Sequence, residues 1–217
     1  SLHASTIEPV YFDEEEINRK VSLHTSLSFA EYRDHKLNFI DAPGSPDFIG
    51  DILAGFHVAD STLVLIDAEV GPEIESLKHS KHAQAFNVPR AIFVNKMDKE
   101  RANFDETVEI CTQKFGKPKV PIWLPIGAGD GFQGVVDLLK MKALLFPPDA
   151  TKYTIAEIPD DMKDVAQEAR EQLIEAAAEG DDELTEEFLE GKELTPEEID
   201  RGLNEDMMAG KFIPVLC

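Results

Sequence analysis

Ala91-Ile92-Phe93-Val94-Asn95-Lys96-Met97-Asp98 runs from an apolar stretch into a polar stop. The apolar part reads as a buried strand, which puts Asn95-Lys96-Met97-Asp98 at its carboxyl end. That spacing suits recognition of a purine. An Asp carboxylate accepts two parallel hydrogen bonds, and guanine offers two donors on one edge, its ring N–H and its exocyclic amine. Adenine offers no such pair, and an unpaired buried carboxylate is costly. The Lys stem can lie along the base or ribose while its head stays in water, and the Asn amide can tie neighbouring loops together. Taken alone, the four residues read as readily as a polar turn after a strand. Their surroundings decide.

Upstream, residues 14–20 are a charged stretch suited to a loop or short helix, and residues 21–32 mix β-branched, aromatic and hydroxyl side chains as a strand does. Arg33-Asp34-His35 is a polar turn and residues 36–41 alternate, so the pair predicts an antiparallel hairpin. Asp41-Ala42-Pro43-Gly44 follows. The Asp41 carboxylate can hold a Mg²⁺-bound water, and Gly44 lets a bare backbone N–H approach a terminal phosphate; a plain Pro-Gly turn is the alternative. Phe48, Ile49, Ile52, Leu53, Phe56 and Val58 recur at helical spacing. Residues 61–67 read as a second buried strand, Gly71-Pro72 opens a helix to about Phe86, and residues 88–94 return to strand. This alternation predicts a parallel sheet with helices on its faces, whose ligands bind beyond the carboxyl ends of the strands. Asp41 and residues 95–98 are expected on that one edge.

Downstream, residues 104–115 fit a helix. Residues 120–126 read as one extended strand whose prolines favour a sheet edge. Gly127-Ala128-Gly129-Asp130-Gly131 lacks the G-x-x-x-x-G-K-[ST] pattern of a phosphate loop and is read as a hairpin turn. Residues 135–139 and 141–146 fit two strands, or a strand and a short helix, before the breaker Pro147-Pro148. Residues 160–178 predict a long amphipathic helix with Met162, Val165, Ala169, Leu173 and Ile174 as its apolar stripe, followed by a helix over 183–190. Thr195-Pro196-Glu197-Glu198 starts a third, with Thr as N-cap, Pro at the first position and Glu at the third. Residues 151–217 hold 20 acidic and 6 basic residues. These helices therefore present acidic outer faces, either solvated or offered to a basic partner.

The chain has 217 residues, 42% of them hydrophobic, and a formal net charge of −22. That is enough for a core, and the charge argues against direct, specific nucleic-acid readout. Two cysteines, Cys111 and Cys217, make neither a disulfide framework nor a zinc site, which fits a reducing cytoplasm. No apolar run reaches the roughly 20 residues of a membrane span. The absence of an initiator Met and the strand-like last residues make both ends look cut.

The sequence resembles elongation factor G and its paralogues, the large translational GTPases, over nearly its whole length. Leu37-Asn38-Phe39-Ile40-Asp41-Ala42-Pro43-Gly44 is similar to the family's third GTPase motif and switch II, and Asn95-Lys96-Met97-Asp98-Lys99 to its guanine-reading motif. Leu124-Pro125-Ile126-Gly127, Phe132-Gln133-Gly134-Val135-Val136-Asp137-Leu138 and Met141-Lys142-Ala143 resemble the entry to the subdomain inserted in this family's G domain, shared in part with peptide-chain release factor three. The resemblance implies an α/β, P-loop GTPase-type fold whose mostly parallel sheet is flanked by helices. It implies residues 1–118 as a partial GTPase core, 119–212 as an inserted α+β subdomain and 213–217 as the final core strand. It also implies GTP or GDP with Mg²⁺ as ligands and a ribosomal partner, with the acidic insert facing the ribosomal stalk protein.

Three departures accompany it. The phosphate loop, its strand, and the fifth motif Ser-Ala do not occur within these residues, so this polypeptide is expected to bind GTP poorly or not at all and to be inactive as a GTPase by itself. Where the family's switch I has Arg-Gly-Ile-Thr, this chain has Arg19-Lys20-Val21-Ser22; Ser22 keeps a hydroxyl for Mg²⁺, while Lys20 replaces a Gly. After Gly44 the family's water-positioning His is Ser45 here, which implies slow hydrolysis unless a neighbour such as His57 takes that place. Beside translocation-type GTP hydrolysis stand a non-hydrolysing ribosome- or stalk-binding module and a release-factor-three-like or ribosome-protection GTPase.

Overall fold

The described residues form three sheets. They are residues 13–32, 34–116, 119–147, 152–179, 182–190, 192 and 194–217 of a computed structural model. Arg33 of the expected turn, Pro148 of the expected breaker and the Gly180-Asp181 junction lie outside them. In chain order the elements are α1 (Glu14–Arg19), β1 (Ser26–Tyr32), β2 (His35–Asp41), α2 (Ile49–Phe56), β3 (Thr62–Asp67), α3 (Ile74–Ala85), β4 (Arg90–Asn95) and α4 (Phe104–Phe115). Then come β5 (Lys119–Pro121), β6 (Trp123–Ile126), β7 (Gly134–Asp137), β8 (Lys142–Leu145), β9 (Thr154–Ala156), α5 (Lys163–Ala178), α6 (Asp182–Leu189), α7 (Pro196–Met208) and β10 (Ile213–Leu216).

The first sheet is the antiparallel hairpin of β1 and β2. Its first strand begins at Ser26 and not at Val21, because the preceding backbone is occupied elsewhere: Leu23 and His24 donate their N–H groups to the buried Glu16 carboxylate at 2.8 and 3.0 Å. Groups so used cannot join a ladder. Among the described residues the hairpin is not hydrogen-bonded to the parallel sheet. Asp41 therefore ends a separate two-stranded unit, and the expectation that it shares one sheet edge with residues 95–98 is corrected.

The parallel sheet has the order β3-β4-β10-β5. Val64 pairs with Ile92 and Ile66 with Val94, and these four side chains are all buried on one face. Each such burial contributes about 1.5–3 kcal/mol. Leu63 and Leu65 point to the other face and are 53% and 60% exposed, so β3 is buried on one side only. Helix α3 starts at Ile74, two residues after Pro72, because Gly71, at φ +76°, first turns its N–H back to the Asp67 carbonyl at 2.8 Å.

The expected single strand over 120–126 is two. Lys119–Pro121 pairs with β10 in the parallel sheet, whereas Trp123–Ile126 opens the antiparallel sheet β6-β7-β8-β9. The chain changes sheet at Ile122. Strand β9 has no counterpart in the sequence reading. Helix α5 packs against β5 of the parallel sheet, and α6 and α7 pack against α5. Thr195 caps α7 by accepting the N–H of Glu198, which returns its carboxylate to the Thr195 N–H at 2.7 Å. The buried stripe of α5 is Ala166, Leu173 and Ala177, while the anticipated Val165 is 56% exposed. Small side chains face α7 because the helices approach closely: a Cβ on Gly202 of α7 would lie 2.1 Å from the Ala177 carbonyl oxygen.

Candidate nucleotide site

Strands β3 and β4 run in register, Asp67 beside Asn95, and both loops leave the sheet at this end. The two loops are stitched by backbone: Ala68 donates to the Asn95 carbonyl at 2.9 Å, and Asn103 to the Ala68 carbonyl at 3.1 Å. The Asn95 amide oxygen accepts the next residue's N–H, from Lys96, at 2.9 Å. The tie between loops is thus made by the Asn95 main chain, while its side chain braces the turn. Lys96 takes φ +64°, a left-handed conformation uncommon for a side chain with Cβ. Met97 is buried beneath the loop, and its carbonyl accepts the Gly129 N–H at 2.8 Å. Gly129 itself sits at φ +59° against the backbone of Lys99 and Glu100. The turn over 127–131 is therefore a hairpin connection between β6 and β7 and also a support for the 95–98 loop. Asp98 stands exposed on it.

One participant escaped the sequence reading. Lys96 Nζ lies 2.7 Å from Asp67 Oδ2, and Asp67 Oδ1 accepts the N–H groups of Glu69 and Val70 at 2.8 and 3.3 Å. The Lys96 ammonium holds the Asp67 carboxyl below its ordinary value, helped by those N–H groups against desolvation. In return Asp67 raises Lys96. The signal was available: an Asp closes the apolar run Leu63-Val64-Leu65-Ile66-Asp67, and a parallel neighbour puts it beside Asn95. A further pair, Arg101 Nε to Glu69 Oε1 at 2.7 Å, links the same loops at the surface.

The other anticipated residues gather elsewhere. Asp41 is exposed at the end of β2, paired in register with Ser26. Gly44 lines a shallow depression of about 420 Å³ together with Glu73, Ile74 and Glu75 at the start of α3. A Cβ on Gly44 would meet nothing within 4 Å, so the backbone there is open to a ligand. Ser45 caps the 3₁₀ turn Pro46–Phe48, its hydroxyl facing the Asp47 N–H at 3.5 Å. His57 ends α2, at the opposite end from Ser45, and meets the Phe86 ring edge-on at 4.6 Å. The eight residues of α2 separate the two, about 12 Å of helix, so His57 does not stand in for the missing His. Lys20, at the position where a Gly was expected, adopts φ +54°. Ser22 lies in the segment gathered around Glu16, and among the described residues no hydrogen bond joins it to Asp41.

These residues fit the implied ligands unequally. The 95–98 loop has an exposed carboxylate, a pinned lysine and a braced backbone. For Mg²⁺, the described residues contain no group of three or more His, Cys, Asp or Glu placed to hold an ion. Mg²⁺ held through one or two carboxylates together with substrate phosphates needs no such group.

A parallel sheet flanked by helices, with a polar loop at the carboxyl end of an inner strand, is an α/β domain of the kind that binds ligands at that edge. The family model of the elongation factor Tu GTP binding domain matches residues 9–217, and the chain belongs to that family as a translational GTPase G domain of the elongation factor G-like kind. Among solved structures, one from Thermus thermophilus is 28% identical and superposes with a TM-score of 0.87 over 95% of this chain. The chain spans 31% of the length of that Thermus protein.

Proposed function

We propose that this chain reads guanine nucleotides through Asn95, Lys96 and Asp98, as the G domain of a translational GTPase acting on the ribosome in protein synthesis. The observation that carries this is the exposed Asp98 carboxylate on a loop braced by Asn95, Met97 and Gly129, beside a lysine whose head is already held. Asp98 accepts the two donors on the guanine edge, the Lys96 stem lies along the base, and Asn95 keeps the loop in shape. Gly44 would offer its N–H to a terminal phosphate, and Asp41, with Ser22 as a lesser contributor, would hold Mg²⁺ through water. When bound, the ion supplies neutralising charge to the phosphates.

Two charge-assisted hydrogen bonds contribute about 1.5–3 kcal/mol each, and about 4 kcal/mol corresponds to millimolar affinity. With no phosphate-loop pattern in its sequence, the 217-residue polypeptide should bind GDP in that weak range and prefer it to ADP. Calorimetry tests this: Asp98→Ala should erase the preference for GDP. Micromolar GDP affinity would refute the view that the base-reading residues carry the binding here.

Ser45 favours slow hydrolysis, because its hydroxyl faces its own turn and it has no imidazole to position a water. In ribosome-stimulated turnover by a protein that carries this chain together with a phosphate loop, Ser45→His should accelerate hydrolysis by about 10²-fold. The same observation favours the second reading, a nucleotide-responsive module that binds the ribosome without hydrolysing. The acidic helices α5 and α7 then become the docking face, with a basic surface of the ribosomal stalk as partner. A cytoplasmic setting accompanies either reading.

A further inference from the structure

We propose that Asp67 is the positioning residue for Lys96 in the guanine site: it pins the ammonium so that the lysine stem is already laid out before a base arrives. This rests on the reading of residues 95–98 as a guanine site and adds a residue to it. Asp67 belongs to a different strand, 29 positions away in sequence, and reaches Lys96 only because β3 and β4 pair in parallel with Asp67 beside Asn95.

Both ends of the link are fixed. On the β3 side, one carboxylate oxygen is held by the N–H groups of Glu69 and Val70 at 2.8 and 3.3 Å, which leaves the other to face Lys96 Nζ at 2.7 Å. Gly71 closes the same turn by donating to the Asp67 carbonyl at 2.8 Å. On the β4 side, the left-handed Lys96 backbone is braced by the Asn95 amide at 2.9 Å, with Met97 buried next to it. A four-carbon stem anchored at Cα and at Nζ has few conformations left. The exposed lysine (52% of its side chain open, against 22% for Asp67) would otherwise sample many. Immobilising a rotamer-rich side chain on binding costs about 0.5–1.5 kcal/mol, which converts to roughly two- to tenfold in affinity. The surface ion pair itself contributes little to folding, so its main consequence is this preordering.

The test is a GDP titration of the whole 217-residue chain at millimolar nucleotide, followed by amide and lysine ε-ammonium NMR. Asp67→Asn keeps an oxygen acceptor for the Glu69 N–H and loses the charge facing Lys96. It should weaken GDP binding roughly two- to tenfold and return the Lys96 ammonium to ordinary lysine behaviour, with the fold intact by amide spectrum. A purely structural role for Asp67 is separated by a double-mutant cycle: in a Lys96→Met background, Asp67→Asn should change GDP affinity no further. Unchanged GDP affinity in Asp67→Asn, or an undiminished loss in the Lys96→Met background, overturns the positioning role and leaves the guanine reading standing. Absence of any shift at residues 95–98 with wild-type chain and GDP overturns the guanine reading, and the positioning role with it.

Discussion

The Glu16 carboxylate accepts the Leu23 N–H at 2.8 Å, seven residues downstream in the chain. The same oxygen takes the His24 N–H at 3.0 Å, and the other takes the Asp13 N–H at 3.3 Å. One buried acid thus serves as helix cap and as latch for the segment containing Lys20 and Ser22. Glu16→Ala leaves three partly buried backbone donors without that acceptor, at about 0.5–1.5 kcal/mol per hydrogen bond. We expect amide exchange of Leu23 and His24 to accelerate by one to two orders of magnitude, while Val64 and Ile92 in the parallel sheet keep their protection. Unchanged exchange at Leu23 would show that the latch does not hold the segment.

Asp67 gives a pH dependence with a definite sign. Its folded-state carboxyl sits below the ordinary aspartate value, chiefly through Lys96. The stability it contributes is therefore complete above that ordinary value, near pH 4, and is lost as pH falls through the lower folded value. Urea unfolding at about pH 6 and about pH 3 should show a larger acid loss for wild type than for Asp67→Asn. Equal losses would mean that the Asp67 carboxylate draws no net folding stability from Lys96 and the Glu69 and Val70 N–H groups.

Much of this was readable in the residues, where a local signal was also the deciding force. The helix over 104–115 matches the sequence reading to the residue because Asn103 caps it, with its Oδ1 accepting the Glu106 N–H at 3.2 Å, and Gly116 ends it at φ +65°. The prolines at 121 and 125 rightly marked edges, since β5 and β6 each lie at the edge of a sheet. That they belong to two sheets was not legible, because Ile122 carries no punctuation and partner choice is made by β10, far downstream in the chain. At the site, the 95–98 loop announced itself by its own spacing. Its partner Asp67 and its support Gly129 did not, because both are brought there by strand pairing and by the β6–β7 turn.

The α7 start offers a conventional test of a local signal. Thr195 and Glu198 exchange capping bonds, and Thr195's backbone and hydroxyl donors hold the Glu198 carboxyl below its ordinary value. Thr195→Ala should cost about 1 kcal/mol, seen as a lower urea midpoint with unchanged slope. No change in midpoint would mean that the cap is replaced by water without loss.

Gly202 sets two rules against each other. It lies inside α7, where Ala is intrinsically better than Gly by about 1 kcal/mol, so propensity alone makes Gly202→Ala stabilising. The packing says the reverse. A Cβ there would lie 2.1 Å from the Ala177 carbonyl oxygen and 3.1 Å from Leu184 Cδ1. The first obstacle is backbone and cannot rotate away. Ala177 and Leu184 are both fully buried, so relief requires α5 and α7 to separate along their length. Overpacking of this kind costs about 1–3 kcal/mol, which outweighs the propensity gain. Gly202→Ala should therefore lower the denaturation midpoint, with faster amide exchange in α5 and α7 and unaltered exchange in β3 and β4. A variant more stable than wild type would mean that the two helices do not approach this closely, and the small buried residues Ala166 and Ala177 of α5 would lose their explanation.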